Sequence, residues 1–141
     1  MNPRSNSSLI KILKKRLASE RAINFAYLFG SQARKNTGAL SDIDIALYLD
    51  NNVDSFLYRL YLTEELMKAA GKEKIDLVLL NNAAPLLCHQ VIKNGVLLKD
   101  DKKQRLDFEI RIVMDYLDTE YLRNTQLSYM KKHIKAGTFF G

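Results

Sequence analysis

The sequence is short of several features that would otherwise direct its reading. It has one cysteine, Cys88, so no disulfide can form within the chain. Its two histidines, His89 and His133, are far apart and lack a third ligand at zinc spacing. Cys88 and His89 are neighbours in one expected helix, so they cannot oppose each other as nucleophile and base. Packing or a surface position is the simpler role for His89. Neither a P-loop nor a Gly-x-Gly-x-x-Gly turn is present. No apolar run approaches the roughly 20 residues that cross a bilayer. The opening stretch, MNPRSNSSLIKILKK, has no apolar h-region and no cleavage site. A lone thiol without an export signal points to the reducing cytoplasm and to no membrane.

What remains is a globular composition, 47% hydrophobic and 27% charged over 141 residues. That length buries a substantial core in one domain. The net charge is +6, spread along the chain with modest concentrations at Lys11, Lys14, Lys15 and Arg16 and at Lys131, Lys132 and Lys135. Such an excess serves solubility or draws in a polyphosphate. It is too dispersed to make direct nucleic-acid binding the main function.

Periodicity gives an alternating order of elements. A helix capped by Ser7 or Ser8 is expected over about 8–20, with Leu9, Leu13 and Leu17 on one side. Strands are expected at 23–29, at about 42–49 and at 74–80. A short helix is expected from Ser31 to about Lys35, before the turn signal Asn36-Thr37-Gly38. Asn51-Asn52-Val53-Asp54 breaks the strand and offers a cap for a helix ending at about Ala70, with Gly71 as its stop and Phe56, Leu60, Met67 and Ala70 on the inner side. Pro85 opens a helix ending near Asn94. Residues 95–98 form a short edge strand, and Asp100 or Asp101 caps a long helix to about Lys135. Its inner side is expected to be Leu106, Ile110, Val113, Leu117 and Tyr121. Alternating elements of this kind mean a sheet with helices packed on it, an α/β (α+β) class. The pattern alone does not give the strand order.

The chemistry concentrates in Gly30 to Asp44, GSQARKNTGALSDID. A strand delivers Gly30-Ser31, and Asp42-Ile43-Asp44 opens the next strand. Alternate strand residues share a face, so Asp42 and Asp44 point the same way. In the strand at 74–80 the same parity sets Asp76 opposite the apolar row of Ile75, Leu77 and Leu79. A single strand aspartate is most simply a solvent-facing residue. Three of them in residues that strands disfavour point instead to a divalent cation that relieves their repulsion. Gly30 allows backbone to approach a ligand closely, and amides after it would face an anion. Ser31 adds a hydroxyl, and Arg34, one turn on, a planar fork for phosphate. Gly-Ser-x10-Asp-x-Asp arises by chance on the order of once in several hundred chains of this length.

These residues, Gly30-Ser31, Asp42-x-Asp44 and Asp76, resemble the signature of the DNA polymerase β-like nucleotidyltransferase superfamily. GSQAR and Ser41-Asp42-Ile43-Asp44, with the short length, resemble its minimal nucleotidyltransferase (MNT) branch, antitoxins paired with HEPN-domain ribonuclease toxins. Lys35 departs from the glycine that many relatives carry after the arginine, which alters the loop more than the chemistry. The resemblance implies a mixed sheet of about four strands flanked by helices and one domain over residues 1–141. Within it the catalytic core covers about 8–100 and a helical extension about 101–135. It implies Asp42, Asp44 and Asp76 as catalytic and metal-holding residues for two magnesium ions. Gly30 and Ser31 would hold the β- and γ-phosphates of ATP, the same phosphates that the spacing of Arg34 puts within its reach. The implied reaction moves AMP to a tyrosine of a HEPN ribonuclease toxin held in a hetero-oligomer, silencing it. The alternatives are an antitoxin that masks its toxin without chemistry, or transfer to a small molecule or an RNA end.

Overall fold

The computed structural model describes residues 3–30 and 43–136, with side chains from 7 to 120 in that range and, beyond it, Asn124, Thr125 and Ser128. The order is α1 (Pro3–Ala18), β1 (Ile23–Phe29), β2 (Ile43–Leu49), α2 (Ser55–Ala70), β3 (Ile75–Leu79), α3 (Pro85–Asn94), β4 (Val96–Lys99) and α4 (Lys102–Ala136). The strands form one sheet in the order β3-β2-β1-β4. β1 is antiparallel to both β2 and β4, and β2 is parallel to β3. The expected mixed four-stranded sheet with helices and a long C-terminal helix is therefore present.

Strand alternation sorts the core into two layers, one on each face of the sheet. On one face Ile23, Ala26, Leu28, Ile43, Ile45, Leu47, Ile75 and Leu77 pack under α1 and α2. Leu9, Leu13 and Leu17 meet them from α1, at the four-residue spacing that keeps side chains on one helix face. On the other face Phe25, Tyr27 and Ala46 pack against Cys88 and Val91 of α3 and Phe108 and Ile112 of α4. Phe25 lies stacked on Tyr48 at 4.9 Å between ring centroids, and Phe108 closes over both at 5.3 Å.

Local chemistry sets the ends of elements. The Asp54 carboxylate accepts from the amides of Phe56 and Leu57, both at 3.2 Å, and so caps α2. Gly71 ends that helix in the left-handed region, φ +63°, where a Cβ would be strained. Pro85 begins α3 as expected. Leu80 belongs to a one-turn 3-10 helix rather than to β3. From that turn Asn81 accepts from the amide of Leu49 and donates to its carbonyl, both at 2.9 Å, extending the edge of β2 with a side chain.

Three expectations need correction. α1 starts at Pro3 and ends at Ala18, so Ser7 and Ser8 lie inside the helix and cap nothing. Proline is well suited to a first helical turn, and that placement competes with the serines. In α2, Met67 and Ala70 do face the core, but its centre is Leu62 and Leu66, while Phe56 and Leu60 are 69% and 56% exposed. Among the described side chains of α4 the buried residues are Phe108 and Ile112, and Leu106, Ile110, Val113 and Leu117 are all exposed. This helix carries two apolar rows about 150° apart around its axis. The sheet takes the row whose phenyl ring fills the space above Phe25 and Tyr48. The expected helix from Ser31, the turn at 36–38 and the inward packing of Tyr121 lie outside the described residues and side chains.

Candidate active site

The geometry of the sheet, not any one loop, brings two of the expected acids together. Asp44 and Asp76 are register partners on the parallel pair β2 and β3. Partners in a parallel pair point to the same face, and the strands run about 4.8 Å apart. The two carboxylates therefore stand side by side at the strands' N-terminal ends, on the face that carries α3 and α4. Their neighbours Ile43 and Ile75 point the opposite way and are buried, 0% and 4% exposed. That burial fixes the parity, because a slip of one residue would put both acids into the α1–α2 core. Asp44 is half-buried and Asp76 is exposed.

β1 brings the third part of the site. It is antiparallel to β2, so its C-terminal end meets the beginning of β2, and Phe29 pairs with Asp44. Gly30 follows, at φ +75°. A Cβ on Gly30 would lie 2.4 Å from Oδ2 of Asp44, far inside van der Waals contact. Residue 30 must therefore be glycine for two independent reasons, its left-handed backbone and the carboxylate beside it. The sequence reading assigned Gly30 to a phosphate and missed its contact with Asp44. The strand-to-loop position of the glycine is a signal for close approach, but what approaches depends on strand pairing.

Ser31, Arg34 and Asp42 lie outside the described residues. Among the described residues no group of three His, Cys, Asp or Glu side chains could hold a metal ion. Asp44 and Asp76 alone provide a pair of hard oxygen donors, a set suited to magnesium or manganese. Two shallow grooves, of about 250 and 390 Å³, share Tyr48 at the other end of β2 and do not include either acid.

Away from the acids the expected minor roles are also resolved. His89 stacks flat on Tyr116 from α3 to α4, with ring centroids 3.9 Å apart. Cys88 is fully buried, and burial raises the pKa of its thiol, which suits packing and not nucleophilic attack.

A mixed sheet with paired carboxylates on adjacent strands and a glycine turn against them defines a nucleotidyl-transfer scaffold. The polymerase beta nucleotidyltransferase family model matches residues 11–104, and the chain belongs to that family. Two curated relatives are both protein adenylyltransferases named MntA. The one from Aphanizomenon flos-aquae is 28% identical over 118 residues, 77% of this chain and 78% of that protein. The one from Shewanella oneidensis is 29% identical over 116 residues, 82% of this chain and 80% of that protein. Among solved structures, a toxin–antitoxin complex with AMP-PNP is 26% identical with a TM-score of 0.68, covering 89% of this chain and 98% of its counterpart. A second is an MNT antitoxin with a tri-AMPylated HEPN toxin from Shewanella oneidensis. It is 25% identical with a TM-score of 0.62, covering 93% of this chain and 99% of its counterpart.

Proposed function

We propose that this chain is an antitoxin that transfers AMP from ATP to a tyrosine of a cognate HEPN ribonuclease toxin. The observation that carries the reading is the Asp44–Asp76 pair in register, with Gly30 packed against Asp44. Relatives across most of the chain's length are protein adenylyltransferases, and one solved relative holds an ATP analogue.

Asp42, Asp44 and Asp76 would hold magnesium, which neutralises charge on the phosphates and stabilises the attacking and leaving oxygens when bound. The chain's own contribution is position. Gly30, Ser31 and Arg34 take the β- and γ-phosphates, leaving the α-phosphorus before the acids. The tyrosine oxygen attacks that phosphorus in line as its bond to the bridging oxygen breaks, and pyrophosphate leaves. Asp76, the more exposed acid, receives the hydroxyl proton. The AMP added to the toxin brings bulk and a negative charge that repels RNA.

The test mixes this chain with its HEPN toxin, ATP and magnesium and follows the toxin's intact mass. The expected result is a gain of whole AMP units, lost on chelation and restored by magnesium. An inhibited toxin of unchanged mass would show masking without chemistry and end this reading.

A further inference from the structure

The helix α4 runs alongside β1 in the same direction. Asn24 of β1 donates to Gln104 at 2.7 Å, Phe108 packs on Phe25, and the Tyr27 hydroxyl donates to Glu109 at 2.5 Å. Travelling along α4 is therefore travelling towards Gly30. Gly30 is three residue steps along from Tyr27, about 10 Å, which α4 covers in about seven residues. The helix draws level with the acidic edge near Tyr116 and continues to Ala136, about 30 Å farther. Its last buried residue is Ile112 among the described side chains.

Along this helix Leu106, Ile110, Val113 and Leu117 are 39%, 57%, 38% and 56% exposed. Their spacing is four, three, four. That is the seam by which one helix packs along another, and it differs from the wider stripe of a helix on a sheet. The row lies about 150° around the helix from Phe108 and Ile112, on the side turned away from the sheet, so the sheet does not cover it.

We propose that this row is the docking seam for a helix of the acceptor toxin. It would set the target tyrosine at the edge formed by Gly30, Asp44 and Asp76. The proposal rests on the adenylyltransferase reading for the identity of its occupant. The toxin must sit at that edge for a tyrosine to reach the α-phosphorus, and α4 is the element that continues past it. The row runs along α4 in the direction of that edge and of the overhang beyond it. The other exposed apolar row, Phe56, Leu57 and Leu60 on α2, belongs to the helix layer on the opposite face of the sheet.

The experiment places a photo-crosslinking residue at Ile110 or Leu117, or at Leu57 or Leu60 as the comparison, and irradiates each full chain with its HEPN toxin. Crosslinks to the toxin are expected from the two α4 positions and not from α2. Ile110→Lys with Leu117→Lys is expected to weaken the complex about 100-fold while far-UV circular dichroism is unchanged. Crosslinks from α2 at equal or greater yield, crosslinks to a second copy of this chain, no crosslinks at all, or wild-type affinity in the lysine variant would each overturn the seam. Intact mass separates the two readings. A toxin that crosslinks at α4 yet never gains AMP keeps the seam and ends the chemistry, whereas normal AMP transfer with wild-type affinity in the lysine variant does the reverse.

Discussion

Gly30 and Asp44 show how closely single residues constrain this site. At φ +75° an alanine costs about 1–2 kcal/mol in backbone strain alone, and its Cβ must also displace the Asp44 carboxylate. Gly30→Ala is therefore expected to lower the free energy of unfolding by at least that amount and to reduce AMP transfer more steeply than stability. Chemical denaturation and single-turnover transfer measured on one preparation check both. Asp44→Asn has the opposite signature. It removes one of two neighbouring negative charges with almost no change in volume, so the variant is expected to fold with wild-type far-UV circular dichroism. Transfer should fall about 100-fold or more, the usual loss when a preorganised charge at a reacting centre is removed. A folded variant that retains transfer would contradict the assignment of Asp44.

At the scale of elements, short polar links tie the helices to each other and to the sheet. Arg16 donates to Glu20 at 3.1 Å, to the Tyr61 hydroxyl at 3.1 Å and to Glu65 at 3.4 Å, joining α1 to α2. The Tyr58 hydroxyl reaches Glu20 across the same pair, and Tyr27 joins β1 to α4 through Glu109. Burial first, and then the carboxylate partner, raises the pKa of each tyrosine above the ordinary value of 10.0. The sign follows. Below about pH 10 both the folded and unfolded hydroxyls keep their protons and the stabilisation is complete. Above it the unfolded chain ionises first, so stability falls as pH rises. Each tyrosine contributes a slope of at most about 1.4 kcal/mol per pH unit, that of one full proton. Tyr27→Phe is expected to flatten this alkaline decline in urea-unfolding curves. Asn81→Ala removes both bonds to Leu49 and should cost about 1–3 kcal/mol in the same assay. Element positions were readable because caps and breakers are local: Asp54, Gly71 and Pro85 act where they stand. Helix faces were less so. In α4 two apolar rows compete, and only the ring of Phe108 against Phe25 and Tyr48 decides between them, a fact of tertiary packing.

For the whole molecule, the legible part of the site was its chemistry and the hidden part its assembly. Asp42-x-Asp44 and Gly30-Ser31 sit within one local stretch, and strand parity marked Asp76 as pointing away from the apolar row. What periodicity does not contain is strand order. β2 lies between β1 and β3, and that arrangement alone sets Asp76 beside Asp44 and Gly30 against it. The same topology carries α4 past the edge where these residues meet, joining a catalytic edge to an exposed helical row. Transfer of AMP at the Asp44–Asp76 edge is the central claim, and the fate of labelled phosphorus tests it most directly. The chain is incubated with its HEPN toxin and ATP labelled on either the α- or the γ-phosphorus. The account predicts label on a toxin tyrosine from α-labelled ATP only, and none when Asp44→Asn replaces the wild type. Label arriving from the γ-phosphorus, or undiminished α-label with the Asp44→Asn variant, would contradict it.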